Sequence, residues 1–87
     1  METTLEFRGI PARQLIAYLQ ELGGLQEDAS SPILGEGWEA EIVREEEVQI
    51  TSRFRVNAVF IRFRAETEEK LAQLLAALRK KTMRVGG

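Results

Sequence analysis

Apolar and polar residues along this chain alternate with a period of two in some stretches and of about 3.6 in others, and the two periods mark strands and helices. Between residues 3 and 10, Leu5 and Phe7 alternate with Glu6 and Arg8, which predicts a first strand with one buried face. Pro11 fixes its own φ and holds Ile10 extended, so a helix is predicted over residues 11–22, with Ala12, Leu15, Ile16, Leu19 and Leu22 along one side. Gly23 supplies a left-handed stop, and Leu25 is placed to fold back on the last turn. Beyond the linker-like residues 23–32, Trp38, Ala40 and Ile42 face one way and Glu39, Glu41 and Val43 the other. Val48, Ile50, Ser52 and Phe54 alternate in the same manner, so a turn at Arg44-Glu45-Glu46 would set Ile42 opposite Val48 and Ala40 opposite Ile50. Residues 57–65 then point Val59, Ile61 and Phe63 inward and Phe60, Arg62 and Arg64 outward.

Thr67 stands as the N-cap of a second helix whose first turn carries Glu68 and Glu69 and whose last carries Arg79, Lys80 and Lys81, each charge on the side the helix dipole favours. Leu71, Leu74, Leu75 and Leu78 form its buried stripe. The order β-α-β-β-β-α, with a further short strand near Ile33 and Leu34, predicts an α+β two-layer sandwich: an antiparallel sheet of four to five strands with both helices on one face. The predicted core is Leu5, Phe7, Leu15, Leu19, Trp38, Ile42, Ile50, Ile61, Phe63, Leu71, Leu74 and Leu78. The opposite sheet face is left open to solvent or to a partner.

Length and composition narrow the possibilities. At 87 residues, 44% of them hydrophobic, the chain makes one self-folding domain, residues 1–87, with residues 83–87 expected as an extended tail. Fourteen acidic against twelve basic side chains give a net charge of -2, so the overall pull toward nucleic acid or an anionic membrane is absent. The chain contains no Cys and no His, which removes thiolate nucleophiles, disulfides, imidazole ligands and the commonest general base. No metal site, no cofactor site and no catalytic constellation is expected. No apolar run approaches the ~20 residues that cross a bilayer, and Met1-Glu2-Thr3-Thr4 lacks the features of a signal peptide, so a cytoplasmic location is expected.

Four stretches invite a chemical reading. Gly35 to Ala40 formally matches a dinucleotide fingerprint, but that site needs a strand before it and a helix after it, and here a strand follows. Gly35 and Gly37 are better read as a close approach beside Trp38. Glu39 and Glu41 project from one strand face about 7 Å apart, at ~3.4 Å rise per residue, a spacing that could suit paired carboxylates. Ion pairing accounts for them as well: in the register above Glu41 faces Gln49 and then Arg62, while Glu47 faces Arg64. Glu27, Asp28, Ser30 and Ser31 lack the spacing of a calcium loop. Arg62 and Arg64 flank Phe63, but RNA binding on a sheet needs two or three outward aromatics and only Phe60 qualifies.

The chain's last two residues, Gly86 and Gly87, raise a separate possibility, since a free diglycine carboxylate is what sulfur carriers present to an activating enzyme. The order of elements, together with "RGIPARQLIAYLQELGG", "GEGWEAEI" and "LRKKTMRVGG", resembles the small domain attached C-terminally to some proteins related to the molybdopterin synthase small subunit. The resemblance covers nearly the whole chain and implies an architecture like one repeat of the TATA-box-binding protein. It implies no established activity, and any link to molybdopterin chemistry comes by association. The expectation is therefore a non-enzymatic protein-association module, self-associating or binding a protein partner. Its candidate residues are Phe60, Arg62, Arg64, Glu39 and Glu41, with Phe60, Ala58 and Val43 as an apolar strip between the charges. The alternatives are a sulfur carrier using Gly86-Gly87 and a small-ligand binder with its pocket near Trp38.

Overall fold

The computed structural model describes the backbone of residues 1–86 and side chains through Met83. Six elements follow in order: β1 (Glu2–Arg8), α1 (Ala12–Glu21), β2 (Ile33–Gly35), β3 (Trp38–Gln49), β4 (Arg55–Ala65) and α2 (Glu68–Gly86). The strands form one antiparallel sheet in the order β1-β4-β3-β2. The architecture is thus α+β, a four-stranded antiparallel sheet with two helices. Both helices pack into a single core on one face, where Leu15, Tyr18 and Leu19 of α1 and Leu71, Leu74 and Leu78 of α2 meet Ala40, Val59, Ile61 and Phe63. Leu5, Phe7, Trp38 and Ile42 pack against its margin, half-buried.

The two middle strands differ from the sequence expectation. Residues 44–46 contain no Gly, Pro, Asn or Asp, and the chain runs straight through them as part of the 12-residue β3. The turn falls instead at Thr51-Ser52-Arg53: the Thr51 hydroxyl accepts from the Arg53 N–H at 3.3 Å, and the Ile50 N–H donates to the Phe54 carbonyl at 2.8 Å. Ile50 therefore leaves the predicted core and lies 46% exposed at the hairpin end. The register is also interrupted. Ile42 pairs with Ile61 but Arg44 pairs with Phe60, so Val43 is one extra residue, a β-bulge.

The bulge turns over every side chain that follows it. Without it Arg44 and Glu46 would face the helices; with it Glu45 does, opposite Val59. There the Glu45 carboxylate accepts the Ala12 N–H at 3.2 Å and the Asn57 amide at 2.8 Å, and that amide also donates to the Ile10 carbonyl at 3.2 Å. Pro11, the N-cap of α1, has no side-chain acceptor of its own. A carboxylate from β3 thus satisfies the first free N–H of α1 and complements its dipole.

The helix ends show two further differences. α1 closes as a Schellman motif, with Gly23 at φ 102° and the Gly24 N–H donating to the Leu19 carbonyl at 3.0 Å. Leu25 does not fold back as expected: it is 78% exposed and exchanges two backbone hydrogen bonds with Leu34. Gly24 occupies the space instead, since a Cβ there would come within 2.5 Å of Ile33 and 2.8 Å of Trp38. Thr67 caps α2 as expected, accepting from the Lys70 N–H at 3.0 Å. That helix passes the basic turn at Arg79-Lys80-Lys81 and stays helical through Gly86, because no Pro or Gly interrupts residues 82–85 and Lys81 is tied to Glu21 of α1 at 3.0 Å. Residues 83–86 are therefore not the extended tail that the sequence suggested, and Gly87 lies outside the described residues.

Chemical denaturation checks this packing. Leu74→Ala should cost about 2–5 kcal/mol, as for a buried leucine, whereas Ile50→Ala should stay within about 0.5 kcal/mol. Glu45→Ala should cost about 0.5–2 kcal/mol, the range for removal of a helix cap. Equal losses at Leu74 and Ile50 would contradict the hairpin register.

Candidate protein-association surface

The face of the sheet turned away from the helices is built from regular cross-strand rows. The first holds Glu2, Arg64, Glu39 and Leu34; the second Thr4, Arg62 and Glu41; the third Glu6, Phe60 and Arg44; the fourth Arg8, Ala58 and Glu46; the fifth Val56 and Val48. All five residues singled out from the sequence, Phe60, Arg62, Arg64, Glu39 and Glu41, lie on this face. Of their partners, Arg62 for Glu41 matches the expectation and the others differ. Glu41 stands directly opposite Arg62 and Glu39 opposite Arg64, while Glu47 pairs with Asn57 on the helix side, because β3 meets β4 along its whole length.

The charges are largely spent on one another. Arg64 bonds Glu2 at 2.7 Å and approaches Glu39 at 3.8 Å, and Arg62 bonds Glu41. Arg8 bonds Glu6 at 2.9 Å, and Arg44 reaches Glu46 at 3.7 Å while its guanidinium lies 4.2 Å from the centre of the Phe60 ring. That cation–π cover shields the one aromatic of the face from above. The hydrogen bond from Arg64 holds the Glu2 carboxyl below the usual glutamate range, and the same bond raises Arg64. Exposed pairs of this kind contribute little to stability singly, but as a ladder they fix side chains that would otherwise be mobile. Of the predicted apolar strip, Ala58 is fully buried beneath its neighbours and Phe60 is half-buried, while Val43 stands 49% exposed on the bulge.

Arg44, Glu2 and Glu6 were missed in the sequence reading, though the period-two alternation of Glu2, Thr4 and Glu6 carried part of the signal. The alternation of the sequence places Arg44 in a turn, which hides it from this face. In the loop, the Asp28 carboxylate accepts from the Ser30 hydroxyl and N–H at 2.7 and 2.9 Å, which depresses its pKa. Among the described residues no three acidic side chains gather as a metal site.

A protein-family comparison matches residues 3–87 to the family described as archaeal MoaD-like protein. The chain belongs to the archaeal MoaD-like family. No curated protein matches it. Among the described residues of this MoaD-like chain, no helix is long and apolar enough to cross a membrane. The helix side carries one further feature, a cleft of about 420 Å³ lined by Leu22, Gly23, Trp38, Lys70, Gln73 and Leu74, where the sequence suggested a pocket. Trp38 lies flat against Gly35, where any Cβ would collide with its indole, and Gly37 takes φ 79° to turn the β2–β3 hairpin. The glycines beside Trp38 thus serve close packing and a turn.

The pH response of the ladder follows from the direction of the Glu2 shift. A carboxyl with a depressed folded pKa contributes stability above its unfolded value, and that contribution is lost as pH falls through the folded value. Glu2→Gln should therefore flatten the fall in urea midpoint between about pH 5 and pH 3, the range of ordinary carboxyl titration, and leave the midpoint at neutral pH nearly unchanged. An acid limb as steep as that of wild type would contradict the pairing of Glu2 with Arg64.

Proposed function

We propose that this MoaD-like chain is a cytoplasmic, non-enzymatic protein-association module of a sulfur-carrier or molybdopterin-type biosynthetic system, and that it binds through the outer face of its sheet. One observation carries the reading: a whole sheet face, with charges and one aromatic in ordered rows, is left uncovered by either helix while the family match spans residues 3–87. Pre-paired charges offer a rigid, patterned surface that selects a partner by complementarity more than by strength. The same reading retains the TATA-box-binding-protein-like architecture implied by the sequence resemblance.

Titration of the isotope-labelled chain with molybdopterin synthase subunits and with a carrier-activating enzyme tests this. Amide shifts should map to Glu39, Glu41, Phe60, Arg62 and Arg64 and spare Trp38 and Leu74. Arg62→Glu should weaken binding at least about tenfold, or ~1.4 kcal/mol. Shifts confined to the helix side would refute the outer-face reading and favour the cleft beside Trp38 as a ligand or partner site.

A second reading, a sulfur carrier acting through Gly86-Gly87, is supported by the family's description as MoaD-like. It requires the helical backbone at Gly86 to unwind so that a carboxylate can be adenylated and then exchange an oxygen for sulfur. Incubation with an activating enzyme, ATP and a sulfur donor should then add the mass of that exchange to wild type and not to a chain lacking Gly87. Unchanged mass with a competent enzyme removes the carrier reading.

A further inference from the structure

β1 lies at the margin of the sheet and is paired on one side only among the described residues. Its pairing with β4 fixes which backbone groups are used. The Met1 carbonyl accepts from the Ala65 N–H at 2.9 Å, the Met1 ammonium donates to the Ala65 carbonyl at 3.0 Å, and the Gly9 N–H donates to the Asn57 carbonyl at 2.8 Å. In an antiparallel ladder bonded and non-bonded pairs alternate, so Thr3, Leu5 and Phe7 bond β4 while the N–H and C=O groups of Glu2, Thr4, Glu6 and Arg8 point away from the sheet. Such a row is a template for a further strand, and β1 carries no Pro, no bulge and no inward-pointing charge to blunt it. The opposite margin is less regular: β2 is three residues long, and where β3 runs past it into the projecting β3–β4 ribbon the strand is broken by the bulge at Val43.

We propose that β1 pairs antiparallel with the β1 of a second copy about a two-fold axis at Leu5, joining two four-stranded sheets into one. Pairing at this edge leaves the outer face open and does not depend on what that face binds. Glu2, Thr4, Glu6 and Arg8 alone offer edge-directed groups, so each must face one of the same four on the other strand. An axis at Leu5 pairs all seven residues of β1: Glu2 meets Arg8 and Thr4 meets Glu6, each exchanging both backbone bonds. Moving the axis to Thr4 sets Glu2 against Glu6, and moving it to Glu6 sets Glu6 against itself, like charges that destabilise a pair. The axis at Leu5 also continues the charged rows, because Glu39, Arg64 and Glu2 alternate in sign and the other copy's Arg8 follows. Both groups have capacity left among the described residues: Arg64 bonds Glu2 through Oε1, leaving Oε2, and Arg8 bonds Glu6 through Nε, leaving its terminal guanidinium nitrogens. On the helix side Leu5 meets Leu5 and Thr3 meets Phe7. A cleft of about 230 Å³ between β1 and α2, lined by Leu5, Phe7, Leu75 and Leu78, leaves the margin of the core open beside this strand, so the added strand covers apolar surface as well as backbone. A strand whose reversed copy matches it in charge, in apolar face and in hydrogen-bonding phase is complementary to itself, the condition of a two-fold contact.

Sedimentation velocity of the full chain, with amide hydrogen exchange followed over the same concentrations, tests the pairing. Wild type should pass reversibly from monomer to dimer through the micromolar range. As it does so, the Thr4, Glu6 and Arg8 amides should gain at least about tenfold protection, while Thr3, Leu5 and Phe7, bonded to β4 in both states, stay protected throughout. Arg8→Glu alone and Glu2→Arg alone should each raise the dissociation constant at least about tenfold, because both ends of the two-fold contact then carry like charges. An equimolar mixture of the two variants should associate again as a one-to-one heterodimer, since the unaltered Glu2 of the first meets the unaltered Arg8 of the second and the two altered positions meet each other with opposite charge. Circular dichroism of each variant should match that of wild type. Monomeric wild type, or a dimer in which the Thr4 and Glu6 amides gain no protection, overturns the edge pairing. Folded variants that stay monomeric when mixed overturn the register centred on Leu5.

Discussion

One extra residue in a strand governs most of this structure. Side chains on a strand alternate with a period of two, so inserting Val43 between Ile42 and Arg44 exchanges the two faces for everything downstream. Before the bulge, Trp38, Ala40 and Ile42 enter the core; after it, Arg44, Glu46 and Val48 face outward and Glu45 faces the helices. A continuous alternation would press Arg44 and Glu46 toward α1 and leave the helix N-terminus without an acceptor. The shift removes two charges from the helix side and delivers one carboxylate to the free N–H of Ala12. Asn57, from the facing strand, completes that corner by holding Glu45 and the Ile10 carbonyl together.

The outer face owes its character to the same shift. With Arg44 turned outward its guanidinium covers Phe60, and the ladder of Arg62 with Glu41 and Arg64 with Glu2 continues to the other end of the sheet. Val48 and Val56 turn outward as well, which is why the projecting ribbon has an apolar outer surface and the sheet body a charged one. Packing on the helix side is independent of this and tight: Gly24 and Gly35 leave room for Trp38, and Leu15, Leu19, Ile61 and Phe63 are fully buried.

The parts legible in the sequence were those where one period persists. The leucine stripe of α2, the Thr67 cap, the Gly23 stop and the inward set Val59, Ile61 and Phe63 follow from helical or strand spacing and stand in the structure as read. Glu39, Glu41, Arg62 and Arg64 were placed on one outward face correctly because they lie on the near side of the bulge. Arg62 as the partner of Glu41 is legible too, but Glu47 opposite Arg64 does not follow, because a single phase through residues 42–50 needs a turn at Arg44-Glu45-Glu46 to match the inward sets. A bulge leaves no signature in composition when no glycine marks it, and Val43 is β-branched, an ordinary strand residue. The absence of turn residues at 44–46 and their presence at Thr51-Ser52 was the signal that could have corrected it.

Membership of the archaeal MoaD-like family gives the functional reading its setting, and the rephased outer face gives it a surface. That surface exists in this form only if β3 is one strand with an extra residue at Val43. The most direct measurement is the pattern of interstrand proton contacts in solution by nuclear Overhauser spectroscopy. The account predicts Ile42 opposite Ile61, then Glu45 opposite Val59 and Glu47 opposite Asn57. Arg44 found opposite Val59, or Ile42 opposite Val48, would contradict it.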